Sequence, residues 1–283
     1  MIHLADSPQT RAALRNRSAP ATRFIVASPF LTRAPALAQS SHQSVTMHIG
    51  LIGGIGPAAT VAYYQRLCSR MRELAAPLEL TIVQADIHAL IRNNLADLRD
   101  AQAAIYAALI ERLRAAGAEC AAITSLGGHF CFDETVRISA LPLVSAVAPL
   151  DEHFASAGIR RVGLLGTRVV MRTRLYGQLH RTTAVACDDD IEGLGQLYQD
   201  IAVSGVCTDA QRDVLFAAGR RMVAEQGAEA IVLAGTDLNL AFEGRDPGYP
   251  VIDALDVHVA LLADLATGRK ALGPAQGGLA TSG

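Results

Sequence analysis

The sequence predicts an α/β fold with two similar lobes, each a parallel sheet flanked by helices, related by a pseudo-twofold axis with a site between them. One observation is the repeated order of apolar strand, glycine turn and helix, which is typical of parallel sheets. The other is self-similarity. Residues 49–54 (IGLIGG) resemble 162–167 (VGLLGT), and 116–119 (AGAE) before a strand resemble 226–229 (QGAE) before another. The separations of 113 and 110 residues are nearly equal, so we infer a duplicated unit.

These repeats divide the chain into domains. The first lobe is expected to span residues 47–147 and the second residues 150–247. A last apolar pattern with helical spacing, near residues 253–267, is expected to return to the first lobe.

The two ends differ from the body between them. Residues 1–46 form an extension outside the core, with five arginines, six serines and one acidic residue. Such a composition is typical of organelle transit peptides. However, Met47 stands directly before the first strand pattern, which favours an upstream start site. Residues 268–283 are dominated by small residues and are predicted to form a flexible tail.

Composition narrows the class of protein. With 51% apolar and 18% charged residues, the chain can bury a large core and is neither a disordered nor a coiled-coil protein. Its apolar runs are too short to span a bilayer, so we expect a soluble, cytoplasmic protein. A net charge of −2 offers no basic field to nucleic acid or anionic membranes. The expected partner is therefore a small molecule.

Lysine and cysteine usage restricts the chemistry. Lys270, the only lysine, lies near the glycine-rich tail, which argues against a pyridoxal-phosphate enzyme. The five cysteines are scattered and include no C-x-x-C pair, which argues against disulfides and a cysteine zinc site. We expect no cofactor, no metal and a reducing compartment.

Polar and small residues follow equivalent strands in the two repeats. Residues 124–129 (TSLGGH) end one strand and residues 235–237 (GTD) end the other. Ligands of open parallel sheets bind beyond the carboxyl ends of strands. If the lobes are related by a pseudo-twofold axis, the two turns face each other across one cleft.

The body of the chain resembles the aspartate/glutamate racemase family from Met47 to about Ala266. The residues that carry the resemblance are 49–56 (IGLIGGIG), Tyr63, Tyr64, 116–119 (AGAE), 162–168 (VGLLGTR), Tyr176 and 227–236 (GAEAIVLAGT). The resemblance implies the two-lobed fold and cofactor-independent racemisation of amino acids. In that reaction two opposed cysteines take and return the proton on Cα, the carbon next to the carboxylate. Members are commonly dimers, which leaves a homodimer open.

Neither of the two catalytic cysteines of the family is present in this chain. When the family's motifs are aligned with this sequence, the first cysteine corresponds to Ser125 and the second to Gly235. The histidine of the first motif is present as His129, and Asp237 replaces the glutamate of the second. Because two thiols are missing, each a proton-transfer group worth about 10²–10⁴ in rate, ordinary two-cysteine racemisation is not expected.

The candidate catalytic residues are therefore Ser125, His129 and Asp237. Ser125 is either a hydroxyl relay or a small turn residue that bonds the backbone. His129 has a side chain suited to proton transfer at neutral pH, or else bonds a neighbouring backbone group at the start of a helix. Asp237 is either a carboxylate base or the N-cap of the following helix, a role that Thr236 could also fill.

The candidate binding residues surround these turns. In relatives, a threonine at the position of Thr167 contacts the substrate carboxylate, and the glycine loop closes over the substrate. The full set is Gly53, Gly54, Gly56, Asp86, Gly127, Thr167, Gly235 and Thr236. Asp86 could equally lie in a surface loop. The glycine loop also fits the G-x-G-x-x-A dinucleotide pattern, but no acidic residue stands at the strand end about 20 residues on.

Together these features predict a cofactor-independent amino-acid racemase, or a related isomerase, that acts by Cα proton transfer on a small carboxylate with non-cysteine groups. One alternative is a non-catalytic protein that binds small carboxylates. Another is a decarboxylase or lyase on the same fold.

Overall fold

The computed structural model describes residues 46–54 and 56–273. The strands of the first lobe are β1 (Ile49–Gly53), β2 (Leu80–Gln84), β3 (Cys120–Ile123) and β4 (Leu143–Val144). Those of the second lobe are β5 (Arg161–Gly166), β6 (Thr183–Val185), β7 (Ala230–Ala234) and β8 (Val251–Asp253). The two four-stranded sheets are parallel and have equivalent strand orders, β2-β1-β3-β4 and β6-β5-β7-β8. The predicted two-lobed α/β fold is confirmed.

Helices connect the strands and cover the sheets. They are α1 (Pro57–Glu73), α2 (Ile87–Leu95), α3 (Arg99–Ala115), α4 (Phe132–Ile138), α5 (Ala148–Ser156), α6 (Arg168–Arg172), α7 (Ile191–Ser204), α8 (Asp209–Gln226), α9 (Asn239–Phe242) and α10 (Ala254–Ala266). Among the described residues, no helix combines the length and the apolar character needed to cross a bilayer.

The internal repeat corresponds to the central strands of the sheets. Ile49 in β1 pairs with Leu80 of one neighbour and Cys120 of the other. Val162, its counterpart in β5, pairs with Ala184 and Ala230 in the same way. Apart from Arg161 at the start of β5, both central strands are buried on both faces, which explains their apolar, nearly continuous sequence.

The last helix packs on the first lobe, although it follows the last strand of the second. Leu255 and Leu262 of α10 are fully buried in one core cluster with Ile49 and Tyr63. The two lobes are thereby joined through α10. The predicted N-terminal extension up to residue 45 and the predicted tail from residue 274 lie outside the described residues.

Candidate active site

The carboxyl ends of the two sheets meet between the lobes. The first-lobe turn (residues 124–131) follows β3, and the second-lobe turn (residues 235–238) follows β7. Thr236 Oγ1 donates to the carbonyl oxygen of Thr124 at 3.1 Å, so the turns touch directly. Thr236 therefore connects the two lobes.

A pocket lies beside these turns, between α2 of the first lobe and α7 of the second. Its volume is about 60 Å³ and it is partly open to solvent, so its ligand is small. Polar side chains form part of the wall: Asn94, Ser125, Thr167, Arg168 and Gln199. The pocket thus brings Ser125 and Thr167 together from different lobes.

Ser125 begins the bend of the first-lobe turn and is 3% exposed. Its Oγ accepts a hydrogen bond from the Gly128 amide at 3.3 Å. Because a hydroxyl has one donor and two acceptor positions, this bond leaves the Ser125 proton available to a ligand.

His129 lies inside the same turn, with both ring nitrogens bonded. Nδ1 donates to the Ser125 carbonyl oxygen at 2.8 Å, and Nε2 accepts from the Ala146 amide at 3.0 Å. The amide fixes Nε2 as the unprotonated nitrogen. Burial lowers the pKa of His129 to about 4, so the ring is neutral at pH 7. It fastens the turn to the segment after β4.

The backbone after Ser125 is held from both lobes. The Gly127 carbonyl oxygen accepts from Asn94 Nδ2 at 3.2 Å and from the Tyr176 hydroxyl at 3.3 Å. The same hydroxyl proton is shared with the Leu126 carbonyl oxygen, at 2.8 Å. These bonds fix the position of Ser125 relative to the second lobe.

Asp237 is buried between the lobes. Its Oδ1 accepts from the Ala59 amide in the first turn of α1 at 2.9 Å, and its Oδ2 accepts from the Tyr198 hydroxyl at 3.2 Å. Burial raises the pKa of Asp237 to about 6, although both hydrogen bonds act to lower it. Asp237 has no exposed surface, whereas Tyr198 lines the pocket. Tyr198 is therefore the residue that both bonds the carboxyl group and lines the pocket.

Gly235 leaves room for the Tyr198 ring. A Cβ atom at position 235 would overlap ring carbons of Tyr198. The aromatic ring thus occupies the space that a side chain at 235 would enter, where the resemblance places the second cysteine.

The glycine loop before α1 contacts this carboxyl group. A Cβ atom on Gly56 would overlap the Asp237 carboxylate, and Gly56 has a φ of 111°, a conformation that favours glycine. Gly53 packs against Thr60, and the Gly54 amide donates to Thr60 Oγ1 at 2.8 Å. The loop thus holds Asp237 and the start of α1.

Thr167 faces the first-lobe turn across the pocket. A Cβ atom on Gly127 would lie 2.7 Å from Thr167 Cγ2, so glycine permits this close approach. Thr167 Oγ1 accepts from the Val170 amide at 3.3 Å and caps α6. The same hydroxyl retains a proton for a ligand.

Arg168 follows Thr167 and brings a positive charge to the pocket. Nε, Nη1 and Nη2 donate to Glu192, Gln199 and Gln196 at 3.2, 3.1 and 2.6 Å. A guanidinium carries five N–H donors, so two remain after these bonds. Arg168 can hold one carboxylate.

Asp86 lies on the surface at the start of α2. Its Oδ1 accepts from the amides of His88 and Ala89 at 2.7 and 3.3 Å, which caps the helix and lowers the pKa of Asp86. In this position Asp86 fixes the start of α2, a helix that lines the pocket along its length, from Ile87 to Leu95.

None of the five cysteine thiols lines the pocket. All five cysteines are free. Cys131, the one nearest His129 in sequence, is fully buried, and burial raises its pKa to about 12, so its thiolate is not formed at neutral pH. In the described part of the chain, no three His, Cys, Asp or Glu side chains are grouped to hold a metal ion.

Tyr198 was not among the residues predicted from sequence. It follows Leu194 and precedes Ile201 on the buried face of α7, a spacing typical of core residues. The sequence signal for a contact here is Gly235, because a glycine at a strand end implies that another residue packs closely against the backbone. It does not indicate which one.

Comparison with known proteins agrees with this architecture. Residues 52–262 match the family model described as Asp/Glu/Hydantoin racemase. The chain is similar to an aspartate racemase homologue from Pyrococcus horikoshii, with 25% identity, a TM-score of 0.63, and coverage of 78% of this chain and 99% of that one. A protein from Yersinia pestis, provisionally assigned as an Asp/Glu racemase, has 24% identity, a TM-score of 0.66 and the same coverage. The fold also resembles glutamate racemase from Francisella tularensis, with 14% identity, a TM-score of 0.58, and coverage of 82% and 85%. The chain belongs to the Asp/Glu/hydantoin racemase family.

Proposed function

We propose that this protein moves the Cα proton of a small carboxylate, as an amino-acid racemase or related isomerase that uses neither cysteine nor cofactor. The observation that carries the proposal is the hydrogen bond from Tyr198 to Asp237, at the wall of a pocket that Ser125 also lines. Proton-carrying groups then stand on both lobes. A substrate between them can be reached on two faces.

Tyr198 and Asp237 act together as the base. As the Cα–H bond breaks, its proton moves to Tyr198 Oη while the phenol proton moves to Asp237 Oδ2. The electron pair of the broken bond stays on the substrate and spreads into its carboxylate, which Arg168 and Thr167 hold. Asp237 must be ionised to accept, so the rate should rise with pH through its pKa of about 6.

Ser125 acts as the acid on the other face. Its hydroxyl gives a proton to Cα, and solvent replaces that proton. On the other face the proton on Asp237 returns to Tyr198 Oη as the proton taken from Cα passes from Tyr198 to solvent in the pocket. The new C–H bond completes inversion, and no net proton is consumed. Because a hydroxyl is a far weaker acid than a thiol, this return is the slow step. His129, bonded to the Ser125 carbonyl oxygen, positions the turn.

The test measures removal of the Cα proton and inversion at Cα separately. The full chain is incubated in D₂O with single enantiomers of amino acids, with proton NMR to measure loss of the Cα–H signal and chiral chromatography to measure inversion. We expect exchange above the protein-free rate, faster than inversion. Loss of a carboxylate from the substrate would instead assign a decarboxylase, and absence of exchange with every compound would refute proton transfer.

A second candidate is a protein that binds small carboxylates without turnover. The observation that favours it is that positions 125 and 235 both lack a thiol while Thr167 and Arg168 still line a pocket. Calorimetric binding of an amino acid that shows no exchange in D₂O would establish this candidate.

A further inference from the structure

One wall of the pocket is largely aliphatic. Four residues of α2 form one face of the helix and line the pocket: Ile87, Leu90, Ile91 and Leu95. From α7, Ala202 and Tyr198 also line the pocket. A ligand held at the polar end therefore extends its remaining atoms between apolar side chains.

Charge in the pocket is limited to one group. Within the described residues, Arg168 is the only charged side chain that lines it. Its side chain is 16% exposed and is paired with Glu192. One partly neutralised guanidinium matches one carboxylate. A second carboxylate on the side chain would lie among the aliphatic residues without a partner, and burial of an unpaired charge is strongly unfavourable. The α-ammonium stays next to the first carboxylate, at the polar residues, where the Asn94 amide offers an oxygen atom.

From this lining we propose that the substrate carries one carboxylate and an uncharged, apolar side chain, in the class of leucine rather than aspartate or glutamate. The inference rests on the proposed function for its reaction, but the binding preference is independent of turnover. Aliphatic walls gain free energy by excluding water from an apolar group, and they offer nothing to a charged one.

Basic side chains do lie nearby, in an outer groove. His88 and Arg92 line this groove together with Asp200, and the groove shares Ile91 and Gln199 with the pocket. The shared residues stand between the two spaces. Asp200 brings a negative charge to the groove, which disfavours a substrate carboxylate there.

Leucine and aspartate provide a matched pair because their side chains branch at the same carbon and have similar shapes. For the full chain, calorimetry measures the dissociation constant of each, and NMR in D₂O measures the Cα exchange rate of each. We expect leucine to be preferred by roughly tenfold or more. Tighter binding of aspartate, or binding of neither compound, overturns the inference.

The two proposals fail in different ways. Leucine binding without exchange of any amino acid supports the apolar side chain and refutes proton transfer. Exchange of aspartate in preference to leucine supports proton transfer and refutes the apolar side chain.

Two exposed leucines near the end of α2 supply a matched variant and control. Leu95 is 61% exposed but lines the pocket, and Leu98 is 50% exposed outside it. Leu95→Arg should shift the preference toward aspartate by roughly tenfold, since it places a cation at the apolar wall. Leu98→Arg adds the same charge elsewhere and should not change the preference. Equal shifts in both variants would contradict the assignment of this wall.

Discussion

Tyr198 lies against Gly235 so closely that any side chain at position 235 would overlap its ring. The ring is held in that position by the hydrogen bond from its hydroxyl to Asp237. The absence of a side chain at 235 and the placement of Tyr198 are therefore one structural feature. A cysteine cannot be added at this position without moving the tyrosine.

Replacement of Gly235 by cysteine should consequently destabilise the fold. The added atoms overpack a buried site, which costs about 1–3 kcal/mol. Tyr198→Ala in the same chain should remove most of that cost, because the space is then vacant. Urea denaturation of both single variants and the double variant measures the coupling.

Ser125→Cys is the control for this comparison, since it adds a thiol at a position already occupied by a side chain. It should change the free energy of unfolding by less than about 1 kcal/mol. Strictly additive effects of Gly235→Cys and Tyr198→Ala would show that the two positions do not compete for space.

Asp237→Asn should change how stability depends on pH. The native pKa of about 6 lies above the ordinary value of 3.8, so ionisation is less favourable in the folded state. The stability contributed by the protonated group is present below pH 4 and is lost as pH rises to 6. The unfolding free energy of Asp237→Asn should therefore rise relative to wild type by roughly 3 kcal/mol across this window and level off above it.

Denaturation curves from pH 4 to 7 measure this difference. Asp213→Asn, at an exposed aspartate on α8, should follow the wild-type dependence. Parallel curves for wild type and Asp237→Asn would mean that the native carboxyl group titrates normally.

His129→Ala should lower stability through two lost hydrogen bonds. The Ser125 carbonyl oxygen and the Ala146 amide would each lose a buried partner, at about 1–3 kcal/mol apiece. His153→Ala, at an exposed histidine on α5, should cost less than about 0.5 kcal/mol. Urea denaturation distinguishes them. A stable His129→Ala variant that has lost exchange activity would instead indicate direct participation in proton transfer.

Arg168→Gln should weaken carboxylate binding. Charge-assisted hydrogen bonds contribute about 1.5–3 kcal/mol, so the dissociation constant for leucine should rise by roughly 10- to 100-fold. Arg172→Gln is the control, because Arg172 also pairs with Glu192 but its side chain is 59% exposed and outside the pocket wall. Calorimetry that gives equal losses for both variants would assign the effect to Glu192 and not to the ligand.

The sequence predicts the fold well because the fold repeats. The resemblance of residues 49–54 to 162–167 arises from two central strands buried in equivalent sheets, and burial on both faces restricts such strands to apolar and small residues. The turns that contain Ser125 and Asp237 could be located for the same reason, since each directly follows a buried strand.

The detailed roles depend on contacts between residues far apart in the chain. Whether His129 offers a nitrogen to a ligand is decided by the Ala146 amide. Whether Asp237 reaches the pocket is decided by Tyr198, which belongs to another helix. Neither contact has a local sequence signal, because an amide and a core-like tyrosine occur in any α/β protein.

The most direct test of the central claim is the Cα exchange rate of leucine in D₂O for Tyr198→Phe. This change removes the hydroxyl that joins the pocket to Asp237 and keeps the ring. We expect exchange to fall by about 10²–10⁴-fold, whereas Tyr64→Phe, at a tyrosine that is 52% exposed, should retain the wild-type rate. Wild-type exchange in Tyr198→Phe would contradict proton transfer through Tyr198 and Asp237.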